Sequence, residues 1–251
     1  MERLRAQHEA EDRRMSLLRL DHVVIALRDL GRGVASCETA GFTVVPGGRH
    51  PGRSTRNALV VFEDGAYLEL IAYSASSPDE RWWRELDAHG DGLVDFALLP
   101  QDLPAMVAQA QARGLAGITG PLPGGRVRPD GERVAWQTAR QAQHDLPFLC
   151  ADLTPRAVRV PEGGLRRHAN GAIGIDEVAV AVVDVEASLG RYRALLGAQA
   201  VRDGTVMLDG ARIRLVRDTA RTRDQGPCAV RLRFAPAGPG SIRALELPFV
   251  H

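Results

Sequence analysis

Two ionisable side chains stand inside stretches that otherwise favour burial. His22 lies in Leu20-Asp21-His22-Val23-Val24-Ile25-Ala26-Leu27, and Glu69 lies in Gly65-Ala66-Tyr67-Leu68-Glu69-Leu70-Ile71-Ala72. An ionisable group buried alone is costly, so each calls for a partner or a metal. Both runs read as strands. Alternation puts His22, Val24 and Ala26 on one face, with Val23, Ile25 and Leu27 on the other; in the second run Tyr67, Glu69 and Ile71 share a face. Between them runs a Gly/Pro-rich polar stretch from Pro46 to Asn57 that holds His50, Arg53 and Asn57. It reads as a loop, and a loop of this kind in a compact domain is often functional. It is expected to rim a cleft, with His50 and Arg53 approaching a bound anion or a substrate oxygen.

The elements that must position these groups follow a recurring order. After the first strand a helix runs from Asp29-Leu30-Gly31 to about Ala40, and Gly41 ends it. Phe42–Val45, Ala58–Phe62 and Tyr67–Ala72 read as strands, giving strand, helix, strand, strand, strand. The order restarts at Gly92–Leu99 with a helix over Leu103–Arg113, a Pro/Gly/Arg loop from Pro121 to Gly131 in which Arg126 and Arg128 face solvent, and strands over Glu132–Arg140 and Leu146–Ala151. It restarts again at Ile173–Val183 with a helix over Val185–Leu196 and three short strands. Cys228–Phe234 is a last strand. Internal repetition of this kind is the most informative feature of the chain. Asp21-His22-Val23-Val24 aligns with Asp176-Glu177-Val178-Ala179, and Glu69 aligns with Arg214; Asp95 takes the His22 position in the middle unit. Glu177 and Arg214 are therefore predicted to form an ion pair where the first unit has His22 and Glu69. A helix near 78–88 carries Trp82 and Trp83, which read as packing.

Of the 251 residues, 32 are basic and 31 acidic, all the basic ones arginine, for a net charge of +1. That balance gives no electrostatic case for nucleic acid or an acidic membrane surface. Cys37, Cys150 and Cys228 have no metal-binding spacing, and a reducing, cytoplasmic setting is the expectation. Residues 1–18 read as a flexible arm, 19–160 as one domain of two units (19–90 and 91–160), and 161–251 as a third unit packed on it.

Repeated strand–helix–three-strand units, each opened by a motif like Leu-Asp-His-Val-Val-Ile-Ala, resemble the vicinal oxygen chelate superfamily of glyoxalases, extradiol dioxygenases and drug-resistance binding proteins. Within it the chain is most similar to the glyoxalase-like domain proteins, through Leu20–Leu30, Gly41-Phe42-Thr43-Val44, Pro46–Arg53, Asn57-Ala58-Leu59 and Gly65–Ile71. The resemblance implies an α+β fold of βαβββ units whose mixed sheets form a cup. It implies a divalent metal (Zn, Mn, Fe, Co or Ni) on His22 and Glu69, with Asp95 as the third ligand. It also implies that His50 or Tyr67 assists proton transfer, that Arg53 and Asn57 contact substrate, and that the chemistry is of the lyase, isomerase or dioxygenase type on vicinal oxygens. The alternative it carries is a metal-free small-molecule binding protein. A homodimer is the expected assembly.

Overall fold

Each of the three unit helices begins in the same way. An aspartate two or three residues past the preceding strand adopts extended backbone and accepts the first free helix N–H with its side chain: Asp29 from Arg32, Asp102 from Ala105 and Asp184 from Ala187. Such a cap contributes on the order of 1 kcal/mol, and it fixes where strand turns into helix. In a computed structural model, which describes residues 18–218 and 225–236, the strands are β1 (Arg19–Leu27), β2 (Val45–Arg49), β3 (Thr55–Val61), β4 (Tyr67–Tyr73), β5 (Gly92–Leu99), β6 (Thr119–Val127), β7 (Arg133–Arg140) and β8 (Phe148–Asp152). These are followed by β9 (Ala172–Val182), β10 (Val201–Arg202), β11 (Thr205–Met207), β12 (Arg212–Arg217) and β13 (Gly226–Phe234). The helices are α1 (Leu30–Thr39), α2 (Arg81–His89), α3 (Leu103–Ala112), the single turn α4 (Arg156–Arg159) and α5 (Val185–Leu196). Strand followed by helix thus occurs at all three places where the repeat demands it. The proposed arm falls, except for Leu18, outside the described residues.

The first two units close on each other into a barrel of order β1-β4-β3-β2-β6-β7-β8-β5. At its seam β1 runs parallel to β4 and antiparallel to β5. The third unit and β13 make a five-stranded sheet, β10-β11-β12-β9-β13, in which β9 is parallel to β12 and antiparallel to β13. This repeats half of the barrel strand for strand. The α+β fold of βαβββ units expected from the sequence is the fold observed.

The outward residues of β1 (Val23, Ile25, Leu27) pack with Leu68, Leu70, Phe96 and Leu98, with Leu103, Val107 and Ala110 of α3, and with Val178, Val180, Tyr192 and Leu195 of the third unit, in one buried cluster. Each Val, Leu, Ile or Phe among them contributes roughly 1.5–3 kcal/mol by leaving water. The third unit is fastened there by polar contacts as well, as Arg113 donates to the carbonyls of Ala194 and Leu195 and Tyr192 donates to that of Asp145.

Two segments expected as loops are partly strand. Val45–Arg49 is β2 and Thr119–Val127 is β6, and the two meet at Arg49 and Val127 to close the barrel. Their glycine content, which suggested loops, serves this closure. Gly48 sits at φ +134°, and a Cβ there would stand 2.0 Å from the Val127 carbonyl oxygen, so only glycine lets the strands approach. Among the described residues no helix is long and apolar enough to cross a membrane.

Candidate functional site

The barrel encloses a cavity of about 460 Å³, its open mouth included, lined by His22, Tyr67 and Glu69 and by residues of the facing strands. A β-bulge aims the first of these groups. Leu20 pairs with Leu98 and His22 with Ala97, leaving Asp21 unmatched on β1. The extra residue breaks the alternation, so Leu20 and Val23 both join the outer core while Asp21 and His22 fall together on the inner side. Asp21 Oδ2 lies 2.8 Å from His22 Nδ1. Asp21 is itself fully buried and accepts from Arg159 Nη1 and Nη2 at 2.8 and 2.9 Å, with Arg156 Nη1 2.7 Å away. Burial pushes its carboxyl up, but these two guanidinium groups and the imidazole outweigh that and hold it well below the ordinary carboxylate range. An ionised Asp21 fixes the His22 proton on Nδ1 and leaves Nε2 to face the cavity.

Nε2 of His22 is 3.5 Å from Glu69 Oε2, and Nε2 of His50 is 3.9 Å from Glu69 Oε1. Asn57 Nδ2 donates to Glu69 Oε1 at 2.6 Å. Burial raises the Glu69 carboxyl, but His22, His50, the Asn57 hydrogen bond and Arg126 together bring it below its ordinary value. Glu69 is therefore an ionised carboxylate inside a barrel. Burial lowers His50, Glu69 partly restores it, and Arg126 and Arg53 lower it further, so this imidazole is held neutral.

The convergence of His22 and Glu69 expected from the sequence is present. Tyr67 stacks on the His22 ring, centroids 4.6 Å apart and planes 13° from parallel, and its hydroxyl accepts from Arg159 Nη1 at 2.8 Å. Burial, together with Asp21 and Glu69, raises that phenol well above its ordinary range despite Arg159, so Tyr67 positions His22 and keeps its own proton. His50 and Arg53 do rim the cavity, with His50 Nδ1 2.9 Å from Thr55 Oγ1 and Arg53 gripping Glu80 at 2.6 and 3.1 Å. Asn57 differs from expectation. Its amide N–H₂ orients Glu69, and its Oδ1 is turned toward Gly47, where a Cβ would come within 2.1 Å; it lies behind the carboxylate and outside the cavity wall.

Asp95 does not join His22 and Glu69. It stands across from Val24 and accepts from Trp82 Nε1 at 2.9 Å, Arg81 Nη1 at 3.1 Å and the Phe96 amide at 2.9 Å. The start of α2 supplies the first two donors, so the carboxylate at the His22-equivalent position is already neutralised and hydrogen-bonded. Cys150, which also lines the cavity, has its thiol driven far up by burial. Among the described residues no group of three or more His, Cys, Asp or Glu side chains is arranged to hold a metal ion. The donors nearest one another are His22, Glu69 and His50, and Asp95 is not among them.

Sequence reasoning missed the cationic wall. Arg126, read as part of a solvated loop, is only 4% exposed and lines the cavity with Arg140 and Arg159. The signal was the alternation of Trp136, Thr138 and Arg140 along β7, which puts all three on one face; Trp82, read as packing, lines the same cavity. In the third unit the predicted pair forms, with Arg214 Nε donating to Glu177 Oε1 at 2.9 Å. Arg212 and Arg231 join it at 2.7 and 3.0 Å from Glu177 Oε2.

Known proteins agree with this architecture. A family model described as Glyoxalase-like domain matches residues 20–196. A hypothetical protein from Staphylococcus aureus of solved structure superposes with a TM-score of 0.71 at 16% identity, covering 88% of this chain and 93% of that one. A variant of 4-hydroxymandelate synthase from Streptomyces coelicolor gives 0.57 at 15% identity, covering 85% of this chain and 70% of that one. A fusion protein of a xylose isomerase-like TIM barrel and 4-hydroxyphenylpyruvate dioxygenase gives 0.52 at 16%, covering 85% and 35%. At these identities the likeness is one of fold. A search of curated protein sequences found no match.

Proposed function

The chain belongs to the glyoxalase-like domain family, and from that premise we propose that its barrel cavity is the reaction site of a small-molecule enzyme in which His22 and Glu69 move a proton at a substrate carrying vicinal oxygens. One observation carries this reading. The His22 imidazole, held through Nδ1 by Asp21, turns Nε2 toward the ionised Glu69 at 3.5 Å. A substrate O–H or acidic C–H placed between them meets two proton-transfer groups at once. Glu69, held by Asn57, takes the proton from carbon and passes it to His22 Nε2 beside it, which delivers it to the neighbouring oxygen. The aromatic walls and the closed barrel limit water around the transfer. This is the chemistry of an isomerase or lyase acting next to a carbonyl.

Solvent-exchange NMR tests it. Hydroxyacetone, which carries vicinal oxygens, is incubated with the protein in D₂O, and loss of its C–H signals is followed. The expected result is acceleration by the wild-type chain and its loss in Glu69→Gln and His22→Ala. Exchange that survives in both variants overturns the reading. A wild-type chain that binds the probe without exchange has a passive pocket, the binding-protein function.

A second reading, a divalent metal on His22 and Glu69, has one feature in its favour. A histidine that gives its Nδ1 proton to a carboxylate and presents Nε2 is arranged as metal-binding histidines are. It lacks the third donor that Asp95 was expected to supply, and His50 is the neighbour that would have to move in. Metal analysis of protein purified without chelator tests it: stoichiometric metal that His22→Ala removes would establish this reading over the first.

A further inference from the structure

The charges in the cavity do not balance. Of the four arginines that line it, two are matched: Arg159 by Asp21 and Asp152 and Arg53 by Glu80. Arg126 and Arg140 are not. Arg126 makes one hydrogen bond, from Nη2 to the Arg159 carbonyl at 2.5 Å, and its buried Nε has no acceptor. Arg140 meets a carboxylate only at 3.7 Å, from Asp95, which Arg81 already pairs. Its guanidinium lies instead over the rings of Trp82 and Phe148, 5.0 and 4.7 Å from their centroids. A buried donor without a partner is destabilising, and two cations facing one carboxylate, Glu69, leave the cavity with an unmet demand for negative charge.

We propose that the cavity takes an organic carboxylate, its acidic head bound by the free N–H groups of Arg126 and its flat apolar part set among Phe148, Trp82 and Trp136. A planar guanidinium recognises a planar carboxylate through paired hydrogen bonds. Arg126 lines the cavity together with Glu69, and Nε is its orphaned donor, so a head group bound by Arg126 lies near the reacting pair. Arg140 adds positive potential along the same wall without clamping the ligand. This deepens the functional reading above and rests on the cavity being its site, but it concerns recognition and is separable from catalysis.

The probe is benzoate, with benzamide as its uncharged counterpart and inorganic phosphate as a competing anion. Two of the three tryptophans, Trp82 and Trp136, line the cavity, so intrinsic fluorescence reports occupancy. Benzoate is expected to change the emission saturably and benzamide to bind at least tenfold more weakly. Arg126→Gln should weaken benzoate at least tenfold, and Arg126→Lys, which keeps the charge but loses the paired geometry, should weaken it less. If the Gln variant does not fold, the benzoate-to-benzamide ratio and the Lys variant decide the matter. Equal binding of benzamide, undiminished binding by the variants, or displacement of benzoate by an equal concentration of phosphate would each overturn the assignment. Glu69→Gln separates the two readings. It should abolish proton exchange while holding benzoate as tightly as wild type or more so, because it removes a nearby negative charge. Benzoate binding without any exchange in the wild type would refute the proton-transfer proposal alone.

Discussion

Asp21→Asn is the substitution whose consequence the geometry fixes most closely. The change is nearly isosteric, so it leaves no cavity, and its effect comes from charge. The native carboxylate is fully buried and faces Arg159, 1% exposed, through two hydrogen bonds of 2.8 and 2.9 Å; Arg156 stands 2.7 Å away. Removing one partner of a buried pair leaves the other charge uncompensated, which typically costs about 3–5 kcal/mol. Arg159 keeps Asp152, which favours the lower end, about 3 kcal/mol. With a urea dependence of about 3 kcal/mol per molar, this moves the unfolding midpoint down by about 1 M. The repeat provides an internal control. Asp176 holds the equivalent bulge position in β9, unmatched between Ile175 and Glu177, and also pairs with arginines, Arg231 at 2.8 Å and Arg212 at 3.4 Å. Its side chain is 36% exposed, so Asp176→Asn should lose no more than about 1 kcal/mol. Urea titrations of the two variants, followed by circular dichroism, make the comparison. Equal losses, or a loss under about 1 kcal/mol at Asp21, would refute the claim that burial of the Asp21–Arg159 pair dominates.

Two further outcomes follow from the same structure. His50 and His168 are both lowered by burial in the folded state; their neutral forms stabilise the fold fully above the unfolded value of about 6.5, and this is lost as pH falls through their folded values. The melting temperature should therefore drop between pH 7 and pH 5, and His50→Gln should flatten that drop; an unchanged slope would count against the burial assigned to His50. Gly48→Ala should destabilise by more than about 1 kcal/mol, because its backbone lies in a region side chains avoid and its Cβ would strike the Val127 carbonyl. A melting temperature within a degree of wild type would show that β2 and β6 do not close the barrel at that point.

The fold was legible because its signals are local and repeated. Three aspartate-capped helices follow three apolar strands, and the alternation of His22 against Val23 gave the correct face. The His22–Glu69 convergence followed from the same alternation once β1 and β4 lay side by side. What could not be read were consequences of neighbours distant in sequence. Asp95 has the right type and the equivalent position, and only the packing of α2 shows that Trp82 and Arg81 engage it. Arg126 sits in a Gly/Pro-rich segment that looks like a solvated loop. Its burial depends on β6 pairing with both β7 and β2, which no local pattern announces. Asn57 reads as a loop residue that meets substrate, and its true role as a support for Glu69 depends on Gly47 leaving room for its amide.

The bulge in the first strand of a unit explains how one framework yields two different sites. In β1 and β9 alike an unmatched aspartate is followed by an ionisable residue, and both side chains fall on one face. Inside the closed barrel this face is buried. The aspartate is neutralised by Arg159 from α4 and can hold His22 in one tautomer, which turns Nε2 toward Glu69. On the open five-stranded sheet the same two positions carry Asp176 and Glu177, and the place of Glu69 is taken by Arg214. There the two acids are shared among three side chains of β12 and β13, Arg212, Arg214 and Arg231. Their partners are half in solvent, and charges so screened exert little force on one another. The difference between the two sites thus follows from barrel closure more than from the motif. The Asp-His pair lies inside the closed barrel opposite an ionised carboxylate, and the equivalent Asp-Glu pair, on the same bulge, is bound by arginines that are half in solvent.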